Sequence, residues 1–145
     1  MSETTNEYFA RCHCGALTAR YRTTLATFAW PVRACQCSFC RAHAGLTTSD
    51  PAGSLEYAAA SPGQVQRYRF GRGVTDFLLC RTCGIYLGAS IAGLSGRFGV
   101  LNVHALHPIP TDLPHPVPMD YTAETLLERQ QRREARWTPL TASSL

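Results

Sequence analysis

No apolar run in this chain is long enough to cross a bilayer. The longest weakly polar stretch, Ile85 to Leu94, is broken by glycines and reaches about half of the roughly 20 residues a spanning helix needs. The segment Met1 to Ala10 holds Glu3 and Glu7 and no hydrophobic stretch, which argues against a secretory signal or transit peptide and predicts a cytoplasmic protein without a membrane segment. Internal repeats and low-complexity tracts are absent as well. An even cysteine count, the mark of a closed disulfide framework, is also missing: there are seven cysteines, and cytosolic thiols are kept reduced. With these classes set aside, 145 residues of 45% hydrophobic content suffice for one packed core and are short for two, so residues 1–145 are expected to form a single domain.

Metal binding becomes the leading explanation for the cysteines. The formal net charge of +4 suggests nucleic acid as a partner. Ligating cysteines are thiolates, however, and seven of them with two Zn(II) ions would reduce that charge to +1, so nucleic acid is a weak expectation.

Short runs of strand-forming residues between turn residues predict a mainly β protein. The expected strands are Leu17 to Tyr21, Val32 to Ala34, Leu55 to Ala58, Val65 to Phe70, Thr75 to Leu79, Ile85 to Ile91 and Arg97 to Val103. Gly93, Gly96 and Gly99 are expected to serve the turn between the last two. The five prolines between His107 and Pro118 remove backbone donors, so that segment should be an extended surface connection. Thr122 to Arg136 reads as a short helix, with Glu124 and Glu128 early and four arginines late, as the helix dipole favours. Leu126, Leu127 and Trp137 form its only apolar stripe, which predicts docking through that stripe with the arginines left in water.

The cysteines fall into three clusters: Cys12 and Cys14 followed by Gly15; Cys35, Cys37 and Cys40 with Ser38 and Arg41; and Cys80 and Cys83 followed by Gly84. A structural zinc takes four soft ligands in a tetrahedron, and two short-spaced pairs supply four while tying distant segments together. Cys12, Cys14, Cys80 and Cys83 fit that role, with each glycine allowing the tight turn of a zinc knuckle. Cys35, Cys37 and Cys40 can converge on a second ion and leave its fourth position free, the pattern of a catalytic site. Three thiolates would leave that zinc with a formal charge of −1, which favours a bound thiolate over activation of water and points to chemistry at sulfur. Two alternatives stand beside this reading. His43 would close the second site as Cys3His, and Cys12 and Cys14 would share a metal with the triplet if the clusters paired differently.

The alternation of Arg67, Arg69 and Arg72 with Tyr68 and Phe70 is expected to place the aromatics inward and the cations in solvent. His13, His104, His107 and His115 have no paired ligand spacing, and no role is expected for them.

Read in order, Cys12-His13-Cys14-Gly15, Cys35-Gln36-Cys37-Ser38-Phe39-Cys40-Arg41 and Cys80-Arg81-Thr82-Cys83-Gly84 resemble the glutathione-dependent formaldehyde-activating enzyme family, which includes centromere protein V-like domains. The resemblance spans residues 8–103, and no motif matches residues 107–145. It implies twisted antiparallel sheets around two zinc sites, with Cys12, Cys14, Cys80 and Cys83 structural and Cys35, Cys37 and Cys40 catalytic. It further implies a carbon-sulfur lyase that interconverts formaldehyde plus glutathione with S-hydroxymethylglutathione, the glutathione sulfur sitting at the open zinc position. Ser38 and Arg41 are candidate donors to the oxygen of the adduct. The competing class is a non-catalytic zinc module for protein or nucleic-acid interaction, in which both metals are closed by protein ligands.

Overall fold

The computed structural model describes residues 4–145. Met1, Ser2 and Glu3, the start of the segment expected to carry no leader, lie outside the described residues. Eleven strands and two α-helices follow in the order β1 (Asn6–Arg11), β2 (Leu17–Thr23), β3 (Arg33–Cys35), α1 (Ser38–Ala42), β4 (Thr47–Thr48), β5 (Ser54–Ala59), β6 (Val65–Tyr68), β7 (Asp76–Cys80), β8 (Tyr86–Ala92), β9 (Arg97–Asn102), β10 (Val117–Met119), α2 (Leu126–Arg136) and β11 (Thr138–Pro139). The protein is mainly β, as expected. A three-stranded sheet runs β1-β2-β5, and an eight-stranded sheet runs β10-β3-β4-β9-β8-β7-β6, with β11 added alongside β9.

Alternation builds the main core. In β2, Leu17, Ala19, Tyr21 and Thr23 are buried, and in β5 Leu55 and Tyr57 are buried opposite them. They pack against Leu78, Leu87 and Leu101 of the large sheet. Trp30 is seated edge-on against Tyr8 and Tyr21, with ring centroids 4.7 and 5.2 Å away. β8 is the most buried strand because it lies between β7 and β9, and six of its seven residues are inaccessible. A register shift at Leu78/Leu79 lets Leu87 and Gly88 both face this core while Tyr86 and Ala89 turn to the opposite side. There Tyr86 and Ala89 join Cys40, Phe77, Ile91, Phe98, Val100 and Trp137 in a second apolar cluster.

Residues 107–145 depart most from expectation. The proline-rich connection does cross the surface, but it ends as β10, which pairs in parallel with β3. One neighbour of β3 is therefore parallel in an otherwise antiparallel arrangement, and β10 lies at the sheet edge, where Pro118 is tolerated. β11 brings fully buried Thr138 against Gly99, so the tail is part of the fold rather than an appendage to residues 8–103. The helix begins at Leu126 rather than Thr122, because Thr125 accepts the Glu128 N–H while the Glu128 carboxylate accepts the Thr125 N–H, a reciprocal cap that sets the first turn.

The expected docking face of α2 is also corrected. Leu126 and Leu127 are exposed, at 47% and 63%, and only Trp137 is buried. Arg129, Arg132 and Arg133 turn inward instead. Glu124 accepts two bonds from Arg132, at 2.7 and 3.0 Å, and Thr75 accepts one from Arg133 at 2.6 Å. The Arg132 and Arg133 guanidiniums lie 3.5 Å above the Tyr121 ring and 4.8 Å above the Trp137 ring. The helix docks through paired and stacked guanidiniums, which a hydrophobic pattern does not register.

The basic and aromatic segment around Tyr68 divides in a similar way. Arg67 and Arg69 stay exposed, both paired with Asp76, as expected of the outer face. Tyr68 is not buried, being 44% exposed, because β6 is an edge strand; it stacks on Phe39 and Phe70. Arg72, beyond the strand, reaches back to donate to the Glu124 carbonyl at 3.2 Å.

Candidate metal centres

Two tight turns build the first centre. Gly15 and Gly84 have φ of +84° and +78°, a region closed to most side chains, and their N–H groups donate to the carbonyls of Cys12 and Cys80 at 3.1 and 2.9 Å. Each turn aims the remaining backbone donors at sulfur: Leu17 N–H points at Cys12 Sγ (3.2 Å), and Thr82 N–H at Cys80 Sγ (3.4 Å). Cys12, Cys14, Cys80 and Cys83 thereby meet as one group. The first and third clusters pair with each other, and Cys12 and Cys14 do not join the triplet.

The spacing of these sulfurs fits a shared ion. Cys14 Sγ lies 3.7 Å from Cys12 Sγ and 3.6 Å from Cys80 Sγ. Tetrahedral metal–sulfur bonds of about 2.3 Å place neighbouring sulfurs about 3.8 Å apart, whereas a disulfide requires about 2.05 Å. Burial pushes the Cys12 thiol up to about 11. Burial acts upward on Cys83 as well, but donation from the Cys14 and Ile85 backbone outweighs it and brings that thiol down to about 6.

The second centre sits where β3 ends and α1 begins. Cys35 closes β3, Cys37 caps α1 and receives the Cys40 N–H at 3.4 Å, and Cys40 is buried one turn on. Their three sulfurs converge. Hydrogen bonds from the Cys35 and Cys40 thiols draw Cys37 below the usual thiol range.

His43 is not part of that group. It caps the end of α1, and its ring lies over Phe39 at 4.4 Å and near Tyr86 at 5.7 Å. Together with Arg11, His13, His104 and His107, it lines a separate cleft of about 450 Å³ that shares Tyr86 with the second centre. His13 is exposed and is not part of the four-sulfur group.

Beside the triplet opens a cavity of about 150 Å³ lined by Cys35, Cys37 and Cys40, by apolar Phe70, Phe77, Tyr86 and Trp137, and by Arg33, Arg72, Arg129, Arg132 and Arg133. Ser38 and Arg41, the anticipated donors, are exposed and do not line it. The sequence reading missed the arginines of α2 and Tyr121, which also lines this cavity. Their only sequence signal was the density of arginine between residues 129 and 136.

No protein-family model and no curated protein matches the chain. Among solved structures it is similar to the crystal structure of a Rhodobacter sphaeroides protein, a structural genomics target, with 28% identity and a TM-score of 0.60 over 77% of this chain and 99% of that one.

Proposed function

We propose that the protein is a two-zinc enzyme of the carbon-sulfur lyase type that joins a small-molecule thiol to an aldehyde and separates them again, glutathione and formaldehyde being the pair suggested by the resemblance to the formaldehyde-activating family. The observation that carries this reading is the contrast between the two sulfur clusters. One comprises four cysteines; the other comprises three, lacks His43 and opens onto a cavity.

The residues fit zinc by donor chemistry and by the sulfur spacing at the first centre. There Cys12, Cys14, Cys80 and Cys83 would tie β7 and the turn after β1 into one unit. At the second centre Cys35, Cys37 and Cys40 would hold the ion from one side. Zinc bound there would supply an open coordination position that lowers the pKa of an incoming thiol. In the forward direction the thiol sulfur attacks the aldehyde carbon: a C–S bond forms, the carbonyl becomes an alcohol, and the thiol proton ends on that oxygen. The reverse reaction breaks the same C–S bond and restores both partners. Phe70, Phe77, Tyr86 and Trp137 would exclude water from the reacting atoms, and the cavity arginines would steady developing negative charge on oxygen.

Cobalt(II)-loaded protein tests the reading. Adding a small thiol should alter the sulfur-to-cobalt absorption of one of its two centres. A spectrum indifferent to thiol would favour the closed, non-catalytic module instead.

A further inference from the structure

The arginines of the cavity outnumber the groups that can neutralise them. Arg33, Arg72, Arg129, Arg132 and Arg133 line it, while among the described residues the only carboxylates at hand are Asp120 and Glu124. Glu124 is already committed, accepting two bonds from Arg132, and its oxygen is 3.7 Å from Arg129 Nε, beyond hydrogen-bond reach. Asp120 accepts the Thr122 N–H. Arg33 donates to Ser49 and Arg72 to a backbone carbonyl, neither of which carries charge. A metal held by three thiolates would bring a formal charge of only −1.

Two donors are left over. Arg129 Nε and Arg133 Nε are buried and have no hydrogen-bond partner among the described residues. Leaving a charged donor buried and unsatisfied is costly, and native structures rarely do so without a ligand or water at the site. Arg129 and Arg133 stand four residues apart on α2, hence on the same helix face, and both border the cavity. Burial, then repulsion from Arg132 and Arg129, lowers Arg133 to about 10, the direction expected of a cation still short of a counter-ion.

We infer that Arg129 and Arg133 form an anion clamp for the ligand of this cavity, so that the thiol it takes carries a carboxylate or phosphate group at the end remote from its sulfur. The clamp makes these two arginines determinants of specificity, and its bearing on a thiol rests on the reading of an open second metal centre. It is supplied wholly by residues outside the span of the family resemblance. A guanidinium edge meets a carboxylate or phosphate with two parallel bonds, and both anions can accept from two arginines at once.

Calorimetry on the metal-loaded protein provides the test, with mercaptosuccinate, 2-mercaptoethanol, succinate and inorganic phosphate as probes and the cobalt absorption recorded in parallel. Mercaptosuccinate should bind at least about tenfold more tightly than 2-mercaptoethanol, and Arg129→Gln and Arg133→Gln should each remove about tenfold of that advantage. Arg136→Gln, which removes the same charge from an exposed position outside the cavity, should leave binding unchanged. Competition by succinate alone would assign the clamp to carboxylates, and competition by phosphate alone to phosphate esters. If both thiols bind equally and both shift the cobalt spectrum, the clamp is overturned while the open metal stands. If mercaptosuccinate binds through Arg129 and Arg133 without moving the spectrum, the clamp stands and the open metal falls. Equal losses in Arg133→Gln and Arg136→Gln would reduce the effect to net charge and overturn the clamp, as would no measurable binding of any anion. Should Arg133→Gln fail to fold, Arg129→Gln gives the same readout, because among the described residues Arg129 holds only a hydrogen bond to the Tyr121 carbonyl and a long 3.7 Å ion pair to Glu124.

Discussion

Met119 stands directly opposite Cys35 in the parallel pairing of β10 with β3, and its carbonyl accepts the N–H of Gln36 at 2.9 Å. The backbone between the first two sulfurs of the triplet is thus held by the tail of the chain. From Met119 the chain leads through Asp120 and Tyr121, both on the cavity wall, into the capped start of α2. The segment that steadies the triplet is continuous with the one that brings the arginines over it.

Replacing single cysteines should separate the two centres. Cys83→Ser breaks the four-sulfur group that joins residues 12–14 to residues 80–83, so the cooperative thermal transition should be lost or fall by more than 10 °C, about what a loss of several kcal/mol produces in a domain of this size. On the proposed reading, Cys37→Ser should leave a folded protein whose metal content drops from two ions to one and should abolish glutathione-dependent consumption of formaldehyde. Metal analysis beside circular dichroism checks both, and a Cys37→Ser protein that unfolds as readily as Cys83→Ser would contradict the division of roles.

His43→Ala should keep two metals per chain and an unchanged cobalt spectrum, because its ring rests on Phe39 rather than among the sulfurs. Loss of one metal on this substitution would mean that the second centre is closed by histidine.

The pairing of Glu124 with Arg132 predicts a pH-dependent contribution to stability. Donation by Arg132 holds the Glu124 carboxyl below its ordinary range. A carboxyl whose folded pKa is depressed stabilises the fold above its unfolded value of about 4.3, and that contribution is lost as pH falls through the folded value. Glu124→Gln should therefore cost about 2 kcal/mol at pH 7, given that both side chains are only about one-fifth exposed. The difference from wild type should shrink below about pH 4. Urea unfolding followed by tryptophan emission at pH 7, 5 and 3.5 measures it, and a difference independent of pH would rule out the ion pair as its source.

Gly88→Ala should destabilise the protein by about 3 kcal/mol or more. A methyl group there would overlap the Tyr57 hydroxyl and the Val100 carbonyl, which are bonded to each other in the packed core. Tyr57→Phe would remove the hydroxyl but leave the ring carbon that bore it at 2.9 Å, as well as the Val100 carbonyl, so the double variant should recover stability incompletely. Thermal denaturation of the three variants decides the matter, and full recovery would show that the Val100 backbone can yield.

How much could be read in advance differed by the range of the interaction. Strands with clean alternation, such as β2 and β5, were legible because one face is buried and the period is two. Short strands of two or three residues, β4, β10 and β11, carry no period to read, and they exist because a neighbouring edge was available to pair with. The two cysteine pairs and the triplet were legible because ligand spacing is set within a few residues, but which clusters share a site was not, because the first pair meets the last only through the fold.

Taken alone, the order of residues determined that this is a mainly β protein with two cysteine pairs and a cysteine triplet, since alternation and cysteine spacing are local properties of the chain, while the joining of the two pairs was left to the fold. Tertiary structure alone decided that His43 lies on Phe39, that Ser38 and Arg41 face solvent, and that Arg129, Arg132 and Arg133 turn inward while Leu126 and Leu127 do not. The reason is that a long guanidinium side chain goes where its partners are. Those of α2 are Tyr121 and Glu124 just before it, Trp137 just after it, and Thr75, which the fold brings from a distant stretch of the chain.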